Sequence, residues 1–182
     1  IPLMKATAEA YIAKSALEAS FLASAGLTGP AAIFEGSAGW GKSVAGNVDY
    51  DVLTAPLGDT YRMMSSCMKP YPAVAGAIAP IQAAIDLKLK QSDIKEIKSV
   101  TVKLPRTTAK KASSDPKKLH PKDKETADHS IHYCVAVALL YGKVGHDQFD
   151  EKTIRSSAVA ELIQKISIEE DQELTGIYPQ SS

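Results

Sequence analysis

Residues 97–105 read Ile-Lys-Ser-Val-Thr-Val-Lys-Leu-Pro. Val100, Val102 and Leu104 alternate with Ser99, Thr101 and Lys103, the period-two pattern of a strand with one buried face. It is the one clear strand in a chain whose other periodic stretches read as helix, so the fold class is α+β. Upstream, the Ala-rich run from about Pro72 to Leu89 reads as a helix, with Pro80 expected to kink it or break it in two. Downstream, Ile131–Tyr141 (IHYCVAVALLY) is apolar throughout and long enough for a fully buried helix, closed by Gly142. An amphipathic segment from about Glu151 to Ile166 ends in a short β-like Ile-Ser-Ile, and Tyr178-Pro179 marks an exit turn.

At the other end, residues 5–25 hold eight alanines and neither Gly nor Pro. Ala is the best helix former, and Gly26 stands where a helix C-cap wants a residue free to take positive φ. Small side chains beside Ile12, Leu17 and Phe21 lead to an expectation of burial in an all-helical layer. Thr28-Gly29-Pro30 reads as a turn or the start of a short helix, and Gly36–Gly58 as irregular chain. The tally of several helices and one clear strand suggests a sheet whose other strands lie elsewhere.

The chain has 182 residues, 45% of them hydrophobic, which suffices for a real core. Its 21 basic and 21 acidic side chains cancel, which argues against a dedicated nucleic-acid binder. Two cysteines are too few for a disulfide scaffold and fit a reducing compartment. No apolar run of 18 or more residues is present, so no membrane-spanning helix is expected. Eight Lys/Arg lie between Lys103 and Lys124 without interleaved aromatics, and this stretch reads as a solvated basic loop. Ile1-Pro2-Leu3 is not a translation start, which makes a piece of a longer chain the expectation.

Gly36-Ser-Ala-Gly-Trp-Gly41-Lys42-Ser43 matches the phosphate-loop pattern G-x-x-x-x-G-K-[ST] at every fixed position. A phosphate loop needs a strand before it and a long helix after it. Gly46, Asn47 and Pro56 follow within a few residues, so the expectation is a Gly-rich surface loop. Asp128, His129 and His132 could put three metal ligands on one helical turn, but nothing completes a recognisable set, and capping and packing are expected instead. Cys134 lies in an apolar run without a basic neighbour to lower its pKa, which excludes a nucleophile role.

Four stretches together resemble the MmgE/PrpD family, which includes 2-methylcitrate dehydratase, cis-aconitate decarboxylase and iminodisuccinate epimerase. They are Met4-Lys5 leading the Ala-rich helix into Gly26–Pro30 and Phe34-Glu35-Gly36, then Lys69-Pro-Tyr-Pro72 with the helix behind it. The third is residues 94–105, and the fourth Glu125–Gly142 followed by Gln148-Phe149. Family enzymes join an all-helical domain to a smaller α+β lid with the active site in the cleft between. The resemblance implies that residues 1–60 are the C-terminal part of the helical domain. Residues 61–182 would be a lid with a small sheet, incomplete at its C-terminal end.

The same resemblance implies site residues. Lys5 falls on an active-site lysine at the head of the Ala-rich helix, Lys69 on the lysine of the K-x-x-P element, and Tyr133 on the lid tyrosine of S-x-x-Y. These are the expected catalytic groups, with Lys5, Lys69, Ser130 and Gln82 binding substrate. Many relatives place a His or Gln five to nine residues past the K-x-x-P lysine. Val74, Gly76 and Ile78 occupy that window here, so a polar contact is expected to move to Gln82, and decarboxylation is disfavoured. The implied activity is a hydro-lyase: a base removes a proton α to a carboxylate of a hydroxy-tricarboxylate, lysines steady the dianion, and an acid protonates the departing hydroxyl. No metal or organic cofactor is implied. The implied partners are a di- or tricarboxylate, an upstream helical domain bearing Asp and His, and a second copy in a homodimer, in the cytoplasm or a mitochondrial matrix. The 182-residue chain alone is then expected to be inactive. The competing expectations are a non-catalytic lid-like subunit or organic-acid-binding module, and, third, a nucleotide-binding loop.

Overall fold

The computed structural model describes residues 3–46, 48–55 and 57–179. Ile1, Pro2, Asn47 and Pro56, used in the sequence reading, lie outside the described residues. The chain forms two compact units, one of Met4–Met68 and one that joins Leu3 to the residues from Lys69 onward.

In the first unit a 3-10 turn, Leu3–Thr7, leads into helix α1, Ala8–Ser24. Gly26 follows at φ +96°, the positive-φ exit that the sequence calls for. The helix carries no buried residue, and Ile12, Leu17 and Phe21 stand exposed, so the expected burial is not met within this unit. The chain then turns tightly through Gly36–Ser43 into one π-helical turn, Gly41–Ala45, before the short helix α2, Asp51–Thr54.

The second unit begins with a 3-10 turn, Ala75–Ala77, running into α3, Ile78–Asp86. Pro80 neither kinks nor breaks this helix. It sits in the first turn, where amide groups have no intrahelical partner and a missing N–H costs nothing. Next come α4, Gln91–Glu96, strand β1, Val100–Leu104, and α5, Arg106–Ser113. That last helix occupies the front of the segment expected to be a basic loop. Ala109 and Ala112, three residues apart, bury one of its faces and leave Lys110 and Lys111 in solvent. A 3-10 turn at Pro116–Leu119 precedes α6, Lys124–Ala127, and α7, Ile131–Tyr141. The segment expected to be a single amphipathic stretch divides into α8, Glu151–Ile154, and α9, Ser157–Ile163. Strand β2, Ile166–Glu170, and α10, Gln172–Ile177, complete the order.

β1 and β2 pair in parallel, Val100 against Ile166 through Leu104 against Glu170. The Ile-Ser-Ile expected to be β-like is thus the start of the partner strand. Side chains alternate along β1 as the sequence indicates, with Val100, Val102 and Leu104 toward the core and Thr101 and Lys103 outward. Helix α7 is the centre of the unit. Every residue from Ile131 to Leu139 is buried, and α3, α9, β2 and the 116–119 turn pack around it. Gly142 closes it at φ +62°. Mostly helical with one small sheet, the fold is α+β, as the sequence indicates. Among the described residues no helix is long and apolar enough to cross a membrane.

Ile81 of α3 is wholly buried where α3 lies on α7. Ile81→Ala is expected to lower unfolding stability by about 2–5 kcal/mol through lost burial and the cavity left behind. Denaturant titration followed by circular dichroism measures it.

Candidate active site at the head of the buried helix

Two short capping motifs placed back to back build this site. Asp123 caps α6: its carboxylate accepts from the Thr126 N–H at 2.8 Å and from the Thr126 hydroxyl at 3.1 Å. Ser130 caps α7, accepting from the Tyr133 N–H at 3.1 Å. Asp128 and His129 are the two residues left between α6 and the Ser130 cap.

Their side chains meet. His129 Nδ1 bonds the Asp128 carboxylate and, at 3.0 Å, the backbone carbonyl of Glu125. A carbonyl only accepts, so Nδ1 carries the ring proton and Nε2 faces away from this pair of acceptors. The two side chains are 20% and 16% exposed, His129 first, which keeps them within reach of solvent without leaving them surface groups. Burial pushes the Asp128 carboxyl up from the ordinary aspartate value, against the opposing pull of the His129 bond. The Glu125 side chain approaches the same place, with donor atoms of Glu125, Asp128 and His129 within 4.8 Å of one another. His132 is not part of this trio. The His129–Asp128 bond brings those two side chains together without an ion.

Lys69 reaches this place through a single peptide group. Its Nζ donates to the Ala73 carbonyl at 3.0 Å, and the N–H of that same peptide, on Val74, donates to the Asp128 carbonyl at 2.8 Å. The K-x-x-P element and the Asp128-His129 junction are therefore held against opposite sides of the Ala73–Val74 peptide.

The other expected site residues fall elsewhere. Gln82 is exposed on α3, accepting from the Tyr71 hydroxyl at 2.5 Å and donating to Asp86 at 2.9 Å. Lys5 is exposed on the 3-10 turn of the first unit. Ser130 and Tyr133 are fully buried. The Ser130 hydroxyl donates to the Lys118 carbonyl at 2.5 Å, and the Tyr133 hydroxyl to the Gln148 carbonyl at 2.5 Å. The resemblance assigns both hydroxyls to substrate; in this conformation both donate to backbone carbonyls that fasten neighbouring turns onto α7. Burial also pushes the Tyr133 phenol and the Cys134 thiol upward, so neither ionises readily.

The window past Lys69 has a packing reason for being apolar. A Cβ on Gly76 would stand 2.5 Å from Thr108 Cγ2, so that methyl would have to turn aside to admit a side chain there. Val74 packs against the core.

The phosphate-loop match closes on itself. The amides of Gly36, Gly39, Trp40, Gly41 and Ser43 all donate to carbonyls of residues 32–39, so none points outward to cradle phosphate. Lys42 shares its surroundings with Glu35 and Asp49, which would repel an anion. The Gly-rich surface loop expected from the sequence is what forms.

Sequence reasoning weighed Asp128, His129 and His132 as metal ligands, expected capping and packing instead, and missed Asp128 and His129 as a bonded pair. The signal was the Asp-His dipeptide wedged between two cap residues.

His132, in the first turn of α7, is 7% exposed, and its Nδ1 lacks a hydrogen-bond partner among the described residues. Burial first, and the Lys118 charge second, hold its imidazole below the ordinary histidine value of 6.5. Below 6.5 the unfolded chain takes up a proton that the folded chain refuses. Stability is therefore complete above that pH and falls as pH drops toward the folded value. Melting temperature is expected to decline between pH 7.5 and 5.5, and His132→Gln to flatten the decline. Asp128 contributes with opposite sign, losing stability as pH rises above its ordinary carboxylate value, so the difference between the two proteins isolates His132. A second expectation is that Tyr133→Phe costs about 1–3 kcal/mol by leaving the Gln148 carbonyl without its donor, measured by urea unfolding.

Residues 71–182 match the family model described as the MmgE/PrpD C-terminal domain.

Proposed function

The chain belongs to the MmgE/PrpD family, and on that premise we propose that it is the lid part of a lyase removing water from a hydroxy-tricarboxylate of the 2-methylcitrate kind. One observation supports the reading above others: the Lys69 ammonium donates to the Ala73 carbonyl, and the N–H of that same peptide, on Val74, donates to the backbone carbonyl of Asp128, whose side chain bonds His129. Elimination beside a carboxylate needs a cation and a group that carries a proton. The carbanion formed by proton loss delocalises onto carboxylate oxygens as a dianion, and a fixed cation lowers its energy where water is scarce. A carboxylate–imidazole pair on the same unit can move the proton.

In this reading the base that takes the α-proton belongs to an upstream helical domain bearing Asp and His, and Lys5 adds a second cation. Tyr133 acts on substrate only if its bond to the Gln148 carbonyl opens. Neither a metal nor an organic cofactor takes part, two copies pair, and the enzyme works in the cytoplasm or a mitochondrial matrix.

The test is turnover by the native full-length protein, following formation of the unsaturated acid from 2-methylcitrate and, in parallel, citrate and malate. Turnover of a tricarboxylate is expected. Lys69→Met should lower kcat/KM about 100-fold, near 2.7 kcal/mol of transition-state stabilisation, with the melting temperature unchanged. No water elimination from any of these acids overturns the reading.

A further inference from the structure

Lys69 opens a turn whose backbone has little freedom. Pro70 and Pro72 each fix their own φ at about −65°, and each holds the residue before it, Lys69 or Tyr71, to extended conformations. The Ala73 amide then donates to the Tyr71 carbonyl at 2.8 Å and closes the turn on itself. A turn this stiff moves as one body, so the place of the Lys69 ammonium depends on what the turn is fastened to. One fastening is backbone, from the Val74 N–H to the Asp128 carbonyl at 2.8 Å. The other is the half-buried side chain of Tyr71. Its hydroxyl donates to Gln82 Oε1 at 2.5 Å, and Gln82 Nε2 donates to Asp86 Oδ1 at 2.9 Å. The direction of this chain is forced. An ionised carboxylate only accepts, so Asp86 draws the NH2 end of the amide and turns its oxygen toward Tyr71. Gln82 and Asp86 stand four residues apart on α3, which buries Ile81 and Ala84 and packs on α7. The oxygen and the nitrogen of the Gln82 amide are thus both engaged, whereas the sequence reading expected that side chain to touch substrate.

We infer that Tyr71, braced by Gln82 and Asp86, is the positioning residue for the Lys69 ammonium, and that Gln82 acts through the Tyr71 hydroxyl rather than on substrate. The inference rests on the lyase reading above and adds the residues that decide where its cation stands. A lysine ends in a point charge on a flexible four-carbon stem, and the bond to the Ala73 carbonyl is what holds that stem to the turn. An ammonium has three donors, so this bond leaves two for carboxylate oxygens. Charge that develops in the transition state is stabilised best by a cation already in place, so a turn that shifts on α3 costs rate. Gln82 and Asp86 are exposed, and hydrogen bonds open to water add little to global stability. The brace therefore acts on placement and not on folding.

The experiment is a double-mutant cycle in the native full-length protein with 2-methylcitrate as substrate. Tyr71→Phe keeps the ring and removes the hydroxyl, and Gln82→Met keeps the side-chain length and removes both bonds. Each is made in wild type and in Lys69→Met. In wild type each should lower kcat/KM about 10-fold with the melting temperature unchanged. In Lys69→Met each should lower it less than about 2-fold, because no cation remains to be placed. An equal loss in both backgrounds overturns the assignment, since Tyr71 or Gln82 would then act on substrate or fold without Lys69. No loss in the wild-type background overturns it as well. Either of these results leaves the lyase reading standing, whereas inactive wild type overturns both. If Gln82→Met does not fold, Tyr71→Phe decides alone.

Discussion

Helix α7 is apolar on every side, and the rest of its unit is arranged by the need to cover it. Nine consecutive residues, Ile131–Leu139, are buried, so no single layer can serve. A helix with one apolar stripe needs one neighbour; a helix apolar all round must be wrapped. The wrapping comes from α3, α9, β2 and the 116–119 turn, elements far apart in sequence. At the start of such a helix the backbone N–H groups cannot fall back on water, and Ser130 supplies the cap. Its hydroxyl proton and that of Tyr133 then find carbonyls on Lys118 and Gln148. The polar groups nearest the helix thus become fasteners, while Asp128 and His129, just before the cap, keep a solvent-facing side. The position of the candidate site follows from where burial stops.

What could be read from the sequence is what is decided locally. The alternation over Val100–Leu104, the unbroken apolar run of α7 and the positive-φ exits at Gly26 and Gly142 depend only on neighbours in the chain. Pro80 could not be placed, because the same residue is harmless in a first turn and disruptive four residues later, and the start of α3 depends on how Ala73–Ala77 packs. The basic stretch after Lys103 hid a helix because charge count outweighed the spacing of Ala109 and Ala112. For the candidate site, Lys69 was named from its motif. The Asp128–His129 bond was not, since adjacent side chains meet only when a turn folds one back, here onto the Glu125 carbonyl. Ser130 and Tyr133 also entered through a motif: a motif gives residue types, whereas burial decides what their hydroxyls touch in this conformation.

The first unit shows the same contrast from the other side. Its Gly-rich loop satisfies a phosphate-binding pattern letter for letter, yet the amides of Gly36, Gly39, Trp40, Gly41 and Ser43 are turned inward. The tight packing has a visible cause: Tyr50 crosses over Gly41 to donate to the Phe34 carbonyl at 2.6 Å, and a Cβ on Gly41 would stand 1.8 Å from that hydroxyl oxygen. The glycine is needed for close approach of an aromatic side chain, so its presence says nothing about an anion.

The apolar window after Lys69 joins these arguments. In this chain Gly76 lies under Thr108 and beside Ile131, the first residue of α7, so a Cβ at that point would displace the Thr108 methyl and meet Ile131 at contact distance. Val74 is likewise held by packing and by its amide bond to Asp128. The absence of a polar residue is therefore tied to how closely this segment is drawn onto the head of α7. The same segment supplies the Ala73 carbonyl to which Lys69 donates. A segment set further from α7 would loosen the amide bond from Val74 to the Asp128 carbonyl and, with it, the peptide that Lys69 is fastened to.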